Sequence, residues 1–168
     1  MTTAVRLPPV LLGAVIVHTA VAPQLRLFGV SADLLLLFAI AAGIATGADR
    51  GAAVGFGAGL LADCFLQTPF GLSALTYSLI AYGVGSFQST ILHTGRWIPM
   101  LTTLVASALG VALFSVSGLV LGEEHLLSTR LVTVAAVVAV VNALLSPLAV
   151  RLVRWAVTPQ LVPGAVMR

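Results

Sequence analysis

The sequence has no lysine and few charged residues of any kind, which excludes most classes of water-soluble protein. Its 168 residues include eight arginines and five acidic residues, so 8% are charged and 60% are hydrophobic. A soluble domain has about 25% charged residues. The arginines are scattered singly along the chain, whereas a nucleic-acid-binding protein has a clustered basic patch, so no nucleic-acid partner is expected. The composition indicates one integral membrane domain covering residues 1–168.

Cysteines and catalytic motifs are also scarce. Cys64 is the single cysteine and cannot form an internal disulfide, and its position in a hydrophobic segment predicts a small packing residue. His18, His93 and His125 form no His-x-x-x-His pattern, so no metal site is predicted. The sequence has no Gly-x-Ser-x-Gly, Gly-x-Gly-Asp, Walker or dinucleotide-binding motif. We therefore expect neither an enzyme nor a cofactor.

Long hydrophobic runs are abundant, and the residues that interrupt them predict an all-α integral membrane protein with six transmembrane helices. One helix over 34–66 would be about 50 Å long, too long for a bilayer core of about 30 Å, so the break at 47–51 predicts a short hairpin of helices 2 and 3. The first run has a signal peptide as its alternative, although Pro23 directly after the cleavage site argues against cleavage. The predicted spans are 7–22, 34–46, 52–66, 72–87, 98–121 and 131–152.

The distribution of the arginines predicts the orientation of the chain. With six spans, both termini lie on the same side of the membrane. That side has six arginines (Arg6, Arg50, Arg96, Arg151, Arg154 and Arg168), and the opposite side has only Arg26 and Arg130. Because arginine is enriched in cytoplasmic loops, both termini are predicted to be cytoplasmic. Residues Arg151, Arg154 and Trp155, at the end of the last span, are interpreted as an amphipathic tail at the membrane interface.

A glycine stripe that ends on an aspartate is the most distinctive feature of the sequence. Gly51, Gly55 and Gly59 recur every fourth residue, so they share one face of a helix, and Asp63 continues that face. Missing Cβ atoms let another helix come close, either within this protein or from a partner. An ionisable group in an apolar helix suggests a function, here an anchor for Arg130, for backbone N–H groups before helix 4, or for a partner. The alternative is a solvated aspartate at the interface.

Two further acidic positions have simpler interpretations. Asp33 precedes the apolar run of helix 2, toward the outer face of the membrane, and is predicted as the N-cap or first-turn acid of that helix, with a structural anchor as the alternative. Asp49 and Arg50 lie between helices 2 and 3. They are predicted to be a solvated turn, with a cytoplasmic contact point as the alternative.

Several of these residues together resemble the rod-shape-determining MreD family. The pattern is Gly55-Phe56, Gly59-Leu60 and Asp63, then Pro69-Phe-Gly71-Leu-Ser-Ala-Leu75 leading into a tyrosine-bearing helix. The Asp33-Leu34 start of helix 2 and the closing Pro147 followed by arginines are similar as well. The family usually has proline before the first aspartate, where this chain has Ala32. The resemblance adds Phe56 to the predicted partner-binding or helix-packing residues, which are then Gly51, Gly55, Phe56, Gly59 and Asp63. It also adds Gly71 as a second structural anchor beside Asp33.

The resemblance also implies a function and a location. It implies a non-enzymatic scaffold of the bacterial inner membrane that partners MreC in rod-shape maintenance and in regulating peptidoglycan synthesis. Through MreC the chain would reach MreB and the elongation glycosyltransferase and transpeptidase. The family has been likened in fold to the substrate-binding subunits of vitamin importers, so the alternative is a subunit that binds a small molecule or lipid intermediate. The Ala-x-x-x-Ala coupling pattern of such subunits is absent here, because His18 follows Ala14 and Gln24 follows Ala20 at the fourth position.

Overall fold

The computed structural model describes residues 9, 12–16, 26–27, 30–31, 33–65, 69–88, 97–122 and 131–157, and this part of the chain is almost entirely helical. The predicted all-helical class is confirmed, apart from one two-residue antiparallel pair in which Arg26 lies opposite Ser31. Residues 12–16 are helical as well. The elements with defined bounds are β1 (Arg26–Leu27), β2 (Val30–Ser31), α1 (Leu34–Thr46), α2 (Ala48–Asp63), α3 (Leu72–Ser86), α4 (Trp97–Val120) and α5 (Leu131–Val157).

Helix α1 lies at the centre of the fold. Ten consecutive residues, from Leu35 to Ile44, are buried, and the helix contacts α2, α3, α4 and α5. A helix that is hydrophobic on every side has no face to turn toward water, so it is most stable when other helices surround it. The core of the molecule is therefore built around α1.

A single residue, Gly47, separates α1 from α2. Its φ of +87° lies in the left-handed region that glycine adopts most readily, and its backbone N–H donates to the Gly43 carbonyl. The break predicted at 47–51 is therefore shorter than expected. Asp49 and Arg50 belong to the first turn of α2, where the helix dipole favours an acidic residue.

Helices α2 and α3 have the most extensive packing in the fold. Gly55 faces the backbone of Tyr77, and Gly59 faces the backbone of Ala74. Glycine lets two helix backbones approach closely because it has no Cβ atom. Together with α1, these helices form a closely packed unit of three short helices.

Helices α4 and α5 are longer and form the second part of the fold. They have 24 and 27 residues, and both are long and apolar enough to cross a membrane, with mean hydropathies of 2.0 and 2.3. Helix α5 continues to Val157 with Pro147 inside it, so the segment interpreted as an interfacial tail is the last turn of this helix. Of the first predicted span, only residues 9 and 12–16 are described. His18, His93, Glu123, Glu124, His125 and Arg130 lie outside the described part.

Candidate functional site

Asp63, at the end of α2, binds the start of α3. One carboxylate oxygen accepts the backbone N–H of Gly71 at 2.8 Å and of Ala74 at 3.4 Å, and the other accepts the N–H of Ser73 at 3.0 Å. Asp63 is only 4% exposed. Of the three partners considered for this aspartate, the structure shows the backbone N–H groups before the fourth predicted span. Arg130 lies outside the described residues.

Gly71 explains why this cap comes from another helix. It is the N-cap residue of α3 and has a φ of +99°, a conformation that L side chains rarely adopt. A glycine cannot supply the side-chain acceptor that normally binds the N–H groups two and three positions on. The Asp63 carboxylate takes that role, and the positive end of the α3 dipole stabilises its charge.

The residue after Asp63, Cys64, is exposed, so its predicted packing role is wrong.

Asp33 is the N-cap of α1 and also joins α1 to α3. Its Oδ1 accepts the backbone N–H of Leu36 at 3.0 Å, and its Oδ2 accepts the hydroxyl of Tyr77 at 2.6 Å. The Tyr77 side chain is buried. Both aspartates therefore bind residues at the N-terminus and in the first two turns of α3.

Asn142 connects the start of α1 to both long helices. Its Nδ2 donates to the backbone carbonyl of Asp33 at 3.2 Å and to Oγ of Ser107 at 3.0 Å. Asn142 and Ser107 have no exposed surface. We refer to Asp33, Asp63, Tyr77, Ser107 and Asn142 as the polar cluster.

A second polar contact joins the long helices one turn away. Oγ1 of Thr103 lies 2.9 Å from Oγ of Ser146, and both hydroxyls lie within hydrogen-bond distance of the Pro99 carbonyl. Residues 103 and 107 are four apart on α4, as are 142 and 146 on α5, so the two contacts lie on successive turns of an antiparallel pair. Side-chain hydrogen bonds of this kind hold transmembrane helices in register.

The polar cluster lies near the middle of the long helices, deeper than predicted. Ser107 and Asn142 are central in α4 and α5, and Asp33 is in contact with Asn142. Helix α1 therefore begins near the midpoint of α4 and α5, whereas the sequence interpretation placed Asp33 at the outer end of its span. The same interpretation did not connect Asp33 to Tyr77, Ser107 or Asn142. One signal was available, since Asn142 is the only asparagine in the chain and interrupts a long apolar run.

The glycine stripe faces the interior of the protein. A Cβ added to Gly51 would lie 2.6 Å from the Gly43 Cα, and one added to Gly55 would lie 2.6 Å from the Tyr77 carbonyl oxygen. For Gly59 the nearest atoms also belong to the α3 backbone. Of the two roles considered, the structure shows helix packing for these three glycines. Phe56 points away from this contact and is about half exposed, at 49%.

Asp49 and Arg50 are exposed in the first turn of α2, next to the α1–α2 connection. The neighbouring end of α3 is fixed to the same connection, because Nε2 of Gln88 donates to the Ala45 carbonyl at 3.2 Å. The exposed pair thus lies beyond the C-terminus of α1, at the opposite end of that helix from Asp33.

An open apolar groove separates the C-terminal half of α3 from the N-terminal half of α4. Its volume is about 620 Å³, and Thr102 is the one polar residue among those that line it. Gly83 lies in the groove, and a Cβ added there would meet nothing within 4 Å. The α3–α4 groove is lined by Leu79, Ile80, Gly83, Val84, Phe87, Ile98, Leu101, Thr102, Val105, Ala106 and Leu109.

These features provide structural anchors and a binding surface. The two carboxylates bind helix N-termini and a tyrosine hydroxyl, and none of these contacts activates a nucleophile. Among the described residues, no three His, Cys, Asp or Glu side chains lie together as they would around a metal ion. The α3–α4 groove offers apolar surface of the kind that binds other apolar segments.

Comparison with known proteins identifies the family. The family model described as rod shape-determining protein MreD matches residues 2–156 of the chain. No curated protein and no solved structure matches it. The match includes all five helices except the last residue of α5, and so both the polar cluster and the α3–α4 groove. The chain therefore belongs to the MreD family, a family of membrane proteins that determine rod shape and that is not known as an enzyme family.

Proposed function

We propose that the chain is a non-enzymatic scaffold that binds MreC in the bacterial cytoplasmic membrane. Through MreC it connects to MreB and to the glycosyltransferase and transpeptidase of cell-wall elongation. In this proposal six helices cross the membrane and both termini are cytoplasmic. Family membership, two helices of membrane-spanning length and the excess of arginine on one side support it.

The observation that carries this proposal is the α3–α4 groove. The glycine stripe of α2 already contacts α1 and α3, so a partner helix could reach it only by displacing one of these helices. The α3–α4 groove is open and presents apolar side chains on both walls. We therefore place the membrane helix of MreC in this groove and not on the glycine stripe.

The lining of the groove suits a helix. Gly83 leaves backbone uncovered, and a helix can approach such a position more closely than any other. Thr102 offers a hydroxyl, a group that transmembrane helices use for hydrogen bonds to their neighbours. In lipid, where apolar burial gives no advantage by itself, close packing and such hydrogen bonds supply the affinity.

Gly83→Leu tests the proposal, with Gly57→Leu as the matched control. Both glycines are helical, and an added Cβ meets nothing within 4 Å at either position, so both variants should fold. Gly83→Leu fills the groove, whereas Gly57→Leu enlarges the face of α2 next to Phe56. We expect Gly83→Leu to lose MreC in co-purification from membranes and Gly57→Leu to retain it.

Two results contradict this site. Wild-type recovery of MreC with a folded Gly83→Leu protein excludes the α3–α4 groove. If only the Gly57→Leu variant loses MreC, the contact lies on the α2 face that carries Phe56. Circular dichroism and the elution volume in detergent establish that each variant is folded.

A second candidate function is binding of a lipid intermediate, because an apolar groove also accepts an acyl chain. In that case purified protein retains a lipid that mass spectrometry detects, and Gly83→Leu loses the lipid while keeping MreC. Loss of MreC from Gly83→Leu without any bound lipid in the wild type favours the scaffold.

A further inference from the structure

The polar cluster contains two carboxylates, and each accepts hydrogen bonds through both of its oxygens. The short 2.6 Å contact of Asp33 with the Tyr77 hydroxyl is typical of a charged acceptor. Asp63 accepts three backbone N–H groups, as a carboxylate does at a helix N-terminus.

Helix dipoles compensate only part of this charge. Asp33 lies at the N-terminus of α1 and Asp63 at that of α3, and each helix end contributes roughly +0.5 of an elementary charge. Two carboxylates and two such ends leave a net charge of about −1. An uncompensated charge is expensive in a protein interior at membrane depth. The remainder corresponds to one monovalent cation.

Among the residues that the structure describes, three buried side-chain oxygen atoms have no hydrogen-bond partner: Oγ of Ser73, Oγ1 of Thr76 and Oδ1 of Asn142. Each of the three residues is at most 1% exposed. An unsatisfied buried polar atom is unfavourable, so three together indicate a ligand that the described part of the protein does not supply.

The positions of these oxygens place them around the polar cluster. The backbone N–H of Ser73 binds Asp63, and Ser73 lies four residues before Tyr77 on α3, so their side chains share one face of the helix. Thr76 lies three residues after Ser73 and therefore shares that face. The Asn142 amide binds the Asp33 carbonyl through Nδ2, so Oδ1 of the same planar group lies beside that contact. Neutral and charged oxygens in one place are the ligands that hard cations prefer.

We propose that the polar cluster binds one monovalent alkali cation. Carboxylate oxygens of Asp33 and Asp63 supply the charge, and the unpaired oxygens of Ser73, Thr76 and Asn142 supply neutral ligands. The cation joins α1, α2, α3 and α5 at the point where the short helices meet the long ones. The proposal is independent of MreC.

Thermal unfolding of the purified full-length protein in nanodiscs tests the proposal. NaCl, KCl and choline chloride are compared at constant ionic strength, so that general screening is the same in each. We expect an alkali cation to raise the unfolding temperature in a saturable manner and choline to have no such effect, since a ligand that binds only the folded state stabilises it.

Thr76→Val and Ser73→Ala separate a cation site from a purely structural cluster. Each removes a hydroxyl that has no hydrogen-bond partner among the described residues, so a structural role predicts unchanged or higher stability at every salt concentration. We expect the half-saturating cation concentration to rise at least about tenfold in each variant. Thr103→Val, whose hydroxyl bonds to Ser146 and Pro99, is the control that keeps the wild-type midpoint.

Three outcomes overturn the proposal. The first is equal stability in NaCl, KCl and choline chloride. The second is an unchanged midpoint in both Thr76→Val and Ser73→Ala, which places the cation elsewhere. The third is a cation dependence that appears only in Arg26→Gln or Arg130→Gln, because a guanidinium group is then the counter-charge.

Discussion

Individual aspartates in this protein supply hydrogen-bond acceptors for the backbone N–H groups at helix N-termini. Asp33 caps its own helix in the usual way, through a contact with the backbone N–H three residues on. At α3 the chain needs a left-handed residue, and Gly71 fills that position without a side chain. Asp63, from the preceding helix, supplies the missing acceptor. The same residue type therefore has a local role at α1 and a tertiary role at α3.

Asp63→Asn tests the tertiary role. The substitution keeps one oxygen but turns an NH₂ group toward backbone N–H groups, so at least one buried donor loses its acceptor. We expect a loss of about 3 kcal/mol in the free energy of unfolding. Asp49→Asn, at an exposed position, is the control and should change the free energy by less than about 0.5 kcal/mol.

The measurement is reversible unfolding of both variants in mixed micelles. A stable Asp63→Asn protein that fails to support rod shape in cells contradicts the structural role and makes Asp63 a functional contact.

At residue scale the sequence predicted what is local and left open what is distant. The Asp33 cap followed from its position directly before an apolar run. Three partners remained open for Asp63, because its contacts lie across a turn whose conformation depends on Gly71. The contact between Asp33 and Tyr77 spans 44 residues, and no periodicity of either segment indicates it.

At the scale of helices, glycines determine how closely the short unit packs. Gly51, Gly55 and Gly59 let α2 contact the backbones of both α1 and α3. The sequence predicted this close contact but not its partner, since a stripe of small residues shows only that some backbone approaches. Gly57, on the same helix, faces open space. The two sets of glycines therefore respond to substitution in opposite ways.

Gly59→Ala and Gly57→Ala form a matched pair on one helix. A Cβ at Gly59 would lie 2.5 Å from the Ala74 nitrogen, and backbone atoms cannot move aside as a flexible side chain can. We expect Gly59→Ala to destabilise the protein by about 1–3 kcal/mol. Gly57→Ala should stabilise it by up to about 1 kcal/mol, because alanine has the higher helix propensity.

The midpoints of thermal unfolding in the same detergent report both changes. Equal midpoints for the two variants contradict the close α2–α3 contact.

Helix existence was easier to predict than helix position. The fourth and fifth predicted spans, 72–87 and 98–121, differ from α3 and α4 by one residue at each changed end. The start of α2 was predicted four residues late, because Asp49, Arg50 and Gly51 look like a turn although the first turn of a helix tolerates them. The central position of α1 had a signal in its continuous apolar run, which leaves no polar face.

Over the whole molecule, helices of two lengths meet at the polar cluster. The helices α1, α2 and α3 are about 20–24 Å long, and α4 and α5 are about 36–40 Å long. Only the long pair exceeds a hydrocarbon core of about 30 Å. The lengths of the apolar runs in the sequence already indicated this difference. The depth of Asp33, by contrast, is shown only by its contact with Asn142. Contacts with helix N-termini and between its own members lower the cost of placing a polar cluster at that depth.

The orientation of the whole molecule gives the last prediction. In a Cys64→Ser background, Asp49→Cys places a thiol at the exposed α1–α2 connection, and Leu121→Cys places one at the opposite end of the long helices, where Leu121 is 58% exposed. If both termini are cytoplasmic, a membrane-impermeant maleimide added to intact cells labels Leu121→Cys at once and labels Asp49→Cys only after permeabilisation. The excess of arginine beside Asp49 is the physical reason, since arginine near a helix end is retained in the cytoplasm. The unlabelled Cys64→Ser parent gives the background signal, and the reverse labelling pattern shows that the protein is inserted the other way round.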